Sequence, residues 1–251
     1  MNYNICVPIQ IKSGNLKDND VIIKKVLKNQ PDLIELRFDY IDDVQNINQH
    51  FVKNLLSLIQ PNIPAIFTFR DSSEGGQIAI GKKERLQVLK VLIEAQPKYF
   101  DIEMNTDKSI LKQIIHLATQ NKTTLIFSYH DFEKTPPYEE CFKLIKTFTN
   151  KLVEELTVDS GVIRQSIYKV VLTAQQFDDN LIPLKLCKHF SQEGRKLICW
   201  CMGDLGIFSR IMCVKFGSFL TFGSLDDKTA PGQVNIKKMR EIYELLFIND
   251  I

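Results

Sequence analysis

The chain of 251 residues has few features of a membrane or nucleic-acid-binding protein. It lacks an apolar run of about 18 residues, the length that a transmembrane helix needs. Residues 1–10 lack the basic flank and long apolar core of a signal peptide. Its 32 lysines and arginines nearly balance 30 aspartates and glutamates, and no basic block exceeds two residues. We therefore expect a cytoplasmic protein that acts on a small molecule and binds neither membrane nor nucleic acid.

Glycine and proline are also scarce, at 11 and 9 residues, and 44% of the residues are hydrophobic, which is typical of a globular protein. Six cysteines could pair as disulfides. However, Cys199 and Cys201 flank Trp200 in an apolar run, where a thiol serves as a small core residue. We therefore expect free thiols, as in a reducing compartment.

Short apolar runs rich in β-branched and aromatic residues recur along the whole chain. They span residues 5–9, 33–38, 65–69, 99–103, 124–129, 167–172, 196–202 and 219–222. Their starts lie roughly 23 to 43 residues apart, about the span of one βαβ unit. Eight strands alternating with about eight helices predict an α/β fold, a single (β/α)₈ TIM barrel over residues 1–251. An open doubly wound sheet is the competing architecture, but the first strand lacks the glycine-rich turn that such sheets use.

Helical spacing of apolar residues is clearest in three of the gaps between strands. These gaps predict a helix over residues 86–93, a helix over 110–118 with Thr106 as its N-cap, and a closing helix over 236–246 with Asn235 as its N-cap. In a barrel, such helices cover the outer face of the strands.

The side chains of a strand alternate between its two faces, and the outer face of a barrel is apolar because it packs against helices. In residues 33–38 the apolar side chains share one face, which sends Glu35 and Arg37 toward the barrel axis. The same rule turns further polar side chains inward, namely Thr68, Arg70, Asp101, Glu103, Ser128, His130 and Lys169. The sequence thus predicts a charged cluster near the C-terminal ends of the strands, where barrels build their active sites.

Two of these inward residues suggest a chemistry. We expect Lys169 to lie among apolar neighbours, which would strip its ammonium of solvent and favour the neutral amine, a nucleophile toward carbonyls. His130, one strand earlier, would move protons, because an imidazole titrates near neutral pH. Alternatively, His130 is a histidine that only packs in the core. Separately, Asp101 and Glu103 could bind a cation, although no histidine that could serve as a further ligand accompanies these two carboxylates. Because the lysine and histidine pair offers a metal-free Schiff-base mechanism, we expect no metal.

Three loops that follow strands carry further candidate contacts. Glu74-Gly75-Gly76 predicts a flexible βα loop. Residues 203–206, followed by Ser209-Arg210, predict a turn into a short helix, whose N-terminus together with Arg210 could hold a carboxylate or phosphate. Residues 229–233 predict a loop that could close over the barrel mouth.

Six motifs occur in order along nearly the whole chain. They are Glu35-Leu36-Arg37, Thr68-Phe69-Arg70 with Glu74-Gly75-Gly76, SYHDF at residues 128–132, Lys169-Val170, Met202-Gly203 through Ser209-Arg210, and Phe222-Gly223 through Ala230-Pro231-Gly232-Gln233. Each motif is weak alone, but the six together resemble type I 3-dehydroquinate dehydratase, the Schiff-base enzyme of the shikimate pathway. Two residues depart from that family, since Thr229 stands where it often has serine and Trp200 where a second methionine is common.

The resemblance implies a barrel that converts 3-dehydroquinate to 3-dehydroshikimate and water without metal or cofactor, as a homodimer. Lys169 would form an imine with the C3 ketone. His130 would remove a C2 proton and later protonate the departing C1 hydroxyl, with Glu74 or Asp101 holding its imidazole. The resemblance also implies substrate contacts: Glu35, Arg37 and Arg70 at the ring hydroxyls, Met202 on the ring, Arg210 and Gln233 at the carboxylate, and Thr229 and Ala230 nearby.

Two other functions are compatible with the same residues. Another class I Schiff-base lyase or aldolase on a barrel would also use Lys169, but it would cleave a carbon–carbon bond in a phosphorylated sugar. A non-catalytic barrel that binds a small anion would form no imine. This second alternative leaves unexplained why both Lys169 and His130 face inward.

Overall fold

The computed structural model describes residues 3–60, 62–225 and 232–247, and these form the predicted (β/α)₈ barrel. The strands are β1 (Ile5–Gln10), β2 (Leu33–Arg37), β3 (Ala65–Thr68), β4 (Tyr99–Glu103), β5 (Thr124–His130), β6 (Ile167–Thr173), β7 (Lys196–Met202), β8 (Thr221–Ser224) and β9 (Val234–Asn235). They lie parallel in the order β7-β6-β5-β4-β3-β2-β1-β8-β9. A hydrogen bond from the Phe219 N–H to the Leu197 carbonyl (2.8 Å) joins β7 to the segment that enters β8.

Helices alternate with the strands along the chain. They are α1 (Leu16–Leu27), α2 (Gln49–Ser57), α3 (Lys82–Glu94), α4 (Lys108–Gln120), α5 (Tyr138–Asn150), α6 (Ser160–Gln165), α7 (Leu181–Gln192), α8 (Ile207–Met212) and α9 (Ile236–Leu246). The closing helix and its Asn235 cap are confirmed. The predicted cap of α4 is wrong, because the Asp107 carboxylate, not Thr106, accepts the Ser109 N–H at 2.9 Å. None of the helices in the described ranges has the length and apolar character that a membrane crossing requires.

The outer face of the strands is apolar and buried, as the alternation rule predicts. Ile34, Leu36, Phe67, Phe100 and Phe127 have no exposed surface against the surrounding helices. All six cysteines are buried free thiols in this core or next to it. Six strands differ from the predicted runs by one or two residues: β1, β5 and β6 end one residue later, β2 and β3 end one residue early, and β8 is shifted to Thr221–Ser224. β8 begins later because the Phe219 N–H bonds to β7 instead.

The strand register brings the inward polar residues to neighbouring levels of the barrel. Ser128 of β5 pairs with Glu103 on β4 and with Lys169 on β6. Thr68 of β3 pairs with Asp101 on β4. Because residues paired across parallel strands project from the same face of the sheet, these side chains converge around the barrel axis.

Candidate active site

A cavity of about 600 Å³, counted with its mouth, opens at the C-terminal ends of the strands. Its walls contain every predicted site residue that the structure describes, namely Lys169, His130, Glu74, Glu35, Arg37, Arg70, Met202, Arg210 and Gln233. Thr229 and Ala230 lie outside the described residues. The remaining lining residues, to which the sequence patterns assign no site role, are Gly75, Phe132, Val171, Trp200 and Phe222.

Lys169 comes from the middle of β6, and its side chain is buried. Its Nζ donates to Asp101 Oδ2 at 3.0 Å and lies 3.8 Å from Glu35 Oε1. The ring centroid of Phe222 is 4.9 Å from the same nitrogen. The expectation of apolar surroundings is therefore wrong. The residues beside Lys169 in the strand face the helices, whereas its amine lies between the carboxylates of Asp101 and Glu35.

A buried ion-pair network holds Asp101, the partner of Lys169. Asp101 Oδ1 accepts hydrogen bonds from Arg70 Nη2 (2.8 Å) and Ser128 Oγ (2.6 Å). Burial raises the pKa of Asp101, but the charges of Arg70 and Lys169 outweigh it and lower this pKa to about 2. Arg70 Nη1 also donates to Glu103 Oε1 at 2.8 Å. Both carboxylates of the alternative cation site thus pair with cationic side chains, and the described residues contain no cluster of three or more metal-ligating groups.

Arg85 of α3 is a residue near the site that the sequence patterns did not predict. Its buried guanidinium donates to Glu103 Oε2 at 2.5 Å and to the Phe69 carbonyl at 3.2 Å. Glu103 therefore joins Arg85, outside the barrel, to Arg70 at the axis. Arg85 lies on the buried apolar face of α3, and a charged residue at such a position in a helical pattern is the signal that could have found it.

His130 ends β5, and Glu74 holds its imidazole. Glu74 Oε2 lies 3.0 Å from His130 Nδ1 and accepts the His130 backbone N–H at 3.1 Å. Of the two residues expected to hold the ring, Glu74 contacts it, whereas Asp101 contacts Lys169. Burial, together with the charges of Arg70, Lys169 and Arg37, lowers the pKa of His130 well below 6.5. The imidazole is therefore neutral, and with Nδ1 donating to Glu74 its Nε2 can accept a proton.

The carboxyl of Glu74 is buried, and its pKa is raised. Burial raises its pKa to about 7, an effect that the charge of Arg70 opposes and the charges of Glu103 and Asp101 reinforce. Its other oxygen accepts a hydrogen bond from Asn105 Nδ2 at 3.4 Å. At neutral pH this carboxyl is therefore poised between its two protonation states.

The Glu74-Gly75-Gly76 segment is a tight turn, not the flexible loop predicted from sequence. Gly75 has a φ of 85°, and the Gly76 N–H donates to the Asp71 carbonyl at 2.9 Å. A Cβ on Gly76 would lie 2.0 Å from the Arg70 carbonyl oxygen, so only glycine permits this approach of the two backbones. The turn fixes Glu74 against His130.

The opposite wall of the cavity comes from β7, β8 and α8. Arg210 of α8 is 1% exposed, and its Cζ lies 5.3 Å from the ring centroid of Trp200. Burial lowers the pKa of Arg210 to about 10, which leaves the guanidinium charged at neutral pH. Trp200 packs against Phe222 with ring centroids 5.5 Å apart. The predicted turn into a short helix is confirmed, with Arg210 in the cavity wall.

β2 forms the wall next to Lys169. Glu35 Oε1 accepts a hydrogen bond from Thr68 Oγ1 at 2.7 Å. Arg37 forms a two-point ion pair with Asp39, since its Nε and Nη2 donate to the two carboxylate oxygens at 2.8 Å each. Both side chains are thus held in place by neighbours and still line the cavity.

Comparison with known proteins agrees with this geometry. The family model for Type I 3-dehydroquinase matches residues 5–250. The 3-dehydroquinate dehydratase of Methanococcus maripaludis (strain C6) is 34% identical over 245 residues, 96% of this chain and 99% of that protein. The 3-dehydroquinate dehydratase of Thermococcus onnurineus is 30% identical over 231 residues, 92% and 94% of the two chains. The crystal structure of type I 3-dehydroquinate dehydratase from Clostridium difficile with covalent modified comenic acid has a TM-score of 0.82 and 29% identity, covering 97% of this chain and 92% of its own. The chain therefore belongs to the type I 3-dehydroquinase family.

Proposed function

We propose that Lys169, His130 and Glu74 carry the reaction of this family member, a hydro-lyase that converts 3-dehydroquinate to 3-dehydroshikimate and water. One observation carries the assignment. The amine and the imidazole line the same cavity, the first held by Asp101 and the second by Glu74. The two alternatives, a sugar aldolase and a non-catalytic anion-binding barrel, are set aside because the family model covers almost the whole chain.

The amine of Lys169 begins the reaction by adding to the C3 ketone. Loss of water from the resulting carbinolamine gives an iminium at C3, which attracts electrons from C2 and makes the C2 proton acidic. The protonated lysine and the ketone together give the iminium and one water, because two hydrogens of the nitrogen leave with the ketone oxygen. Asp101, with a pKa of about 2, stays ionised beside the nitrogen. Its role is to orient the nitrogen toward the ketone.

His130 then moves one proton from C2 to the leaving group. Nε2 takes the C2 proton, and the electron pair of that bond enters the iminium to give an enamine. The same nitrogen returns the proton to the C1 hydroxyl, which departs as water while the enamine electrons form the C1–C2 double bond. Water finally hydrolyses the product iminium and frees Lys169. Because the proton is taken and returned by one group, a neutral imidazole suffices.

The remaining cavity residues bind the substrate. Arg210 holds the carboxylate together with Gln233, because a buried guanidinium offers two parallel charge-assisted hydrogen bonds to such a group. Glu35 and Arg37 contact the ring hydroxyls, and Met202 packs on the ring. Arg70 also lines the cavity, but its donors bond to Asp101, Glu103 and Ser128, so we assign it mainly to holding Asp101. Thr229 and Ala230 stay predictions for this part of the site.

Reduction with borohydride in the presence of 3-dehydroquinate tests the assignment. Peptide mass spectrometry should find the reduced adduct on Lys169, and the absorbance of the conjugated enone should report turnover. Lys169→Ala should lose both signals, whereas Lys185→Ala, which removes an exposed lysine of α7, should keep both. An adduct on a different lysine of the wild-type chain would overturn the assignment.

The finer proposals are a cytoplasmic location and a homodimer. Six buried free thiols support a reducing compartment such as the cytoplasm. An exposed apolar patch near the ends of β6 and β7 supports the dimer. It consists of Phe177, Leu181, Leu205 and Phe208, and the ring centroids of Phe177 and Phe208 lie 5.3 Å apart. Subunit interfaces cover apolar patches of this kind. Light scattering should give twice the mass of one chain, and Phe208→Glu should lower it; a single-chain mass for the wild type contradicts the dimer.

A further inference from the structure

Asp39 is a buried carboxylate beside the active site to which the mechanism assigns no role. It lies in the short turn Phe38–Tyr40 that directly follows β2, and it has no exposed surface. Its Oδ1 accepts from Arg37 Nε at 2.8 Å and from the Arg70 backbone N–H at 3.3 Å. Its Oδ2 accepts from Arg37 Nη2 at 2.8 Å and from the Gln77 backbone N–H at 3.4 Å. A carboxylate has about four acceptor sites, so these four donors occupy all of them.

The first pair of contacts orients the guanidinium of Arg37. Asp39 holds its Nε and Nη2, and the ring centroid of Tyr40 lies 5.2 Å from its Cζ. The remaining nitrogen, Nη1, has no acceptor in the described ranges, and it is not among the polar atoms that protein enclosure leaves unpaired. Nη1 is therefore accessible from outside the protein surface, and Arg37 lines the cavity. Asp39 thus selects the nitrogen of Arg37 that remains available to a ligand.

The second pair of contacts anchors the turn that carries Glu74. The Arg70 N–H stands at the entry of this turn and the Gln77 N–H at its exit, and Asp39 accepts from both. The turn is also closed within itself, since the Gly76 N–H donates to the Asp71 carbonyl at 2.9 Å. Asp39 therefore attaches both ends of the turn to the end of β2.

We propose that Asp39 is a positioning residue that aligns the substrate contact at Arg37 with the turn that carries Glu74. The proposal rests on the proposed function, in which Arg37 contacts the ring hydroxyls and Glu74 holds the imidazole of His130. One carboxylate then sets where the substrate ring lies relative to the base. Such alignment is what proton transfer from C2 requires.

Asp39→Asn tests the proposal, because all four groups around the carboxylate are donors. In either orientation of the asparagine, its NH₂ faces one nitrogen of Arg37 and one backbone N–H of the turn. The KM for 3-dehydroquinate should rise at least about 3-fold, the scale of one hydrogen bond. The kcat should fall about 10- to 100-fold, because a small displacement of a catalytic group has an effect of this size. Asp42→Asn, at an exposed carboxylate of the same loop, should change neither.

Binding measurements separate hydroxyl recognition from general loosening of the site. The probes are 3-dehydroshikimate and a cyclohexenone carboxylate that has the same ring, ketone and carboxylate without the hydroxyls. Asp39→Asn should raise the Kd of 3-dehydroshikimate at least about 3-fold and leave the Kd of the analogue unchanged. In an Arg37→Gln background, Asp39→Asn should no longer change the Kd of 3-dehydroshikimate but should still lower kcat.

Equal loss of affinity for both probes in Asp39→Asn overturns the proposal, and so does a kcat within about 3-fold of the wild type. Borohydride should still trap the adduct on Lys169 in this variant. Absence of the adduct in the wild type would refute the Lys169 assignment. An adduct on Lys169 together with wild-type kinetics in Asp39→Asn would refute the role of Asp39 alone.

Hydrogen exchange of the unaltered protein keeps the proposal testable if Asp39→Asn folds poorly. The Gln77 side chain is exposed in its loop, and the acceptor of its backbone N–H is Asp39. Ala79, also exposed in this loop, has a backbone N–H without an acceptor among the described residues. The Gln77 N–H should therefore exchange at least about 10-fold more slowly than that of Ala79, after correction for their intrinsic rates. Equal corrected rates would show that Asp39 does not hold the turn, which overturns the proposal.

Discussion

Replacing Glu74 by glutamine should stabilise the protein at pH 8 and at the same time remove most of its activity. Glu74 is 6% exposed, and its Oε2 accepts the backbone N–H of His130 and lies 3.0 Å from the imidazole Nδ1. An amide has nearly the same shape and still offers an acceptor oxygen. The substitution therefore removes a buried negative charge with little change of volume.

The stability effect follows from the pKa of Glu74, which burial raises from 4.5 to about 7. Between these values the folded chain keeps a proton that the unfolded chain has released, so stability falls as pH rises and the loss is complete above about pH 7. At 1.36 kcal/mol per pH unit, ionised Glu74 costs about 3 kcal/mol at pH 8. Glu74→Gln should recover roughly 2–3 kcal/mol, equivalent to a Tm higher by about 4–12 °C. At pH 5 most of this gain in the free energy of unfolding should be gone, because Glu74 is then protonated in the folded wild-type chain.

The activity effect follows from the proton on the imidazole. A carboxylate only accepts, so Glu74 keeps the proton on His130 Nδ1 and leaves Nε2 as the base. Glutamine can turn its NH₂ toward Nδ1, which places the imidazole proton on Nε2. Nε2 can then no longer accept the C2 proton, and kcat should fall by about 10²- to 10⁴-fold. Protonation of Glu74 has the same consequence in the wild type. Its kcat/KM should therefore fall as pH decreases through about 7, a fall that Glu74→Gln should not show.

Both effects can be measured on one pair of variants. Enone absorbance between pH 5.5 and 9 gives the rates, and thermal unfolding at pH 5 and pH 8 gives the stabilities. Glu84→Gln, which neutralises an exposed glutamate of α3, is the matched control and should change neither the rate nor the stability by much. Wild-type kcat in Glu74→Gln would refute the role of Glu74 in holding the tautomer. An unchanged Tm at pH 8 would refute the cost of its buried charge.

Substitutions at three further positions test other parts of the site and its surroundings. His130→Ala should lower kcat by at least about 10²-fold while borohydride still traps an imine on Lys169, and a kcat within a few-fold of wild type would make His130 a core histidine. Arg210→Lys should raise KM about 10-fold or more with little change in kcat, because a lysine lacks the guanidinium fork; steady-state kinetics with an unchanged KM would place the carboxylate elsewhere. Arg85→Ala should destabilise the chain by about 3–5 kcal/mol in denaturant unfolding, because it leaves the buried Glu103 carboxylate with one cation fewer, and Arg85→Lys should restore part of this. A loss below about 1 kcal/mol for Arg85→Ala would contradict that reasoning.

Much of the site could be predicted from sequence because strand alternation is a simple rule. Once Ile34 and Leu36 are assigned to the helix-facing side, Glu35 and Arg37 must face the axis, whatever the details of packing. The same rule places Lys169 and His130 in one cavity although they lie on different strands, far apart in the sequence. The β5–β6 register, which pairs Ser128 with Lys169, then sets their relative heights.

Contacts between inward side chains could not be obtained in this way. Alternation says that Lys169 and Asp101 face the axis, but not that they meet, since they lie on β6 and β4 with a strand between them. It also gives no information on Arg85, which reaches the network from a helix. The tight turn at Gly76 depends on a close approach of two backbones, which composition cannot distinguish from a flexible loop.

The two carboxylates that hold the catalytic groups differ in ionisation for one physical reason. Both are buried, and burial alone raises the pKa of a carboxyl. Asp101 bonds directly to two cations, Arg70 and Lys169, and its pKa is about 2. Glu74 bonds to uncharged donors of His130 and Asn105, and its pKa is about 7. Asp101 therefore stays charged near neutral pH and orients the amine, whereas Glu74 changes state there, so the pH dependence of the enzyme near neutral pH should be set by Glu74.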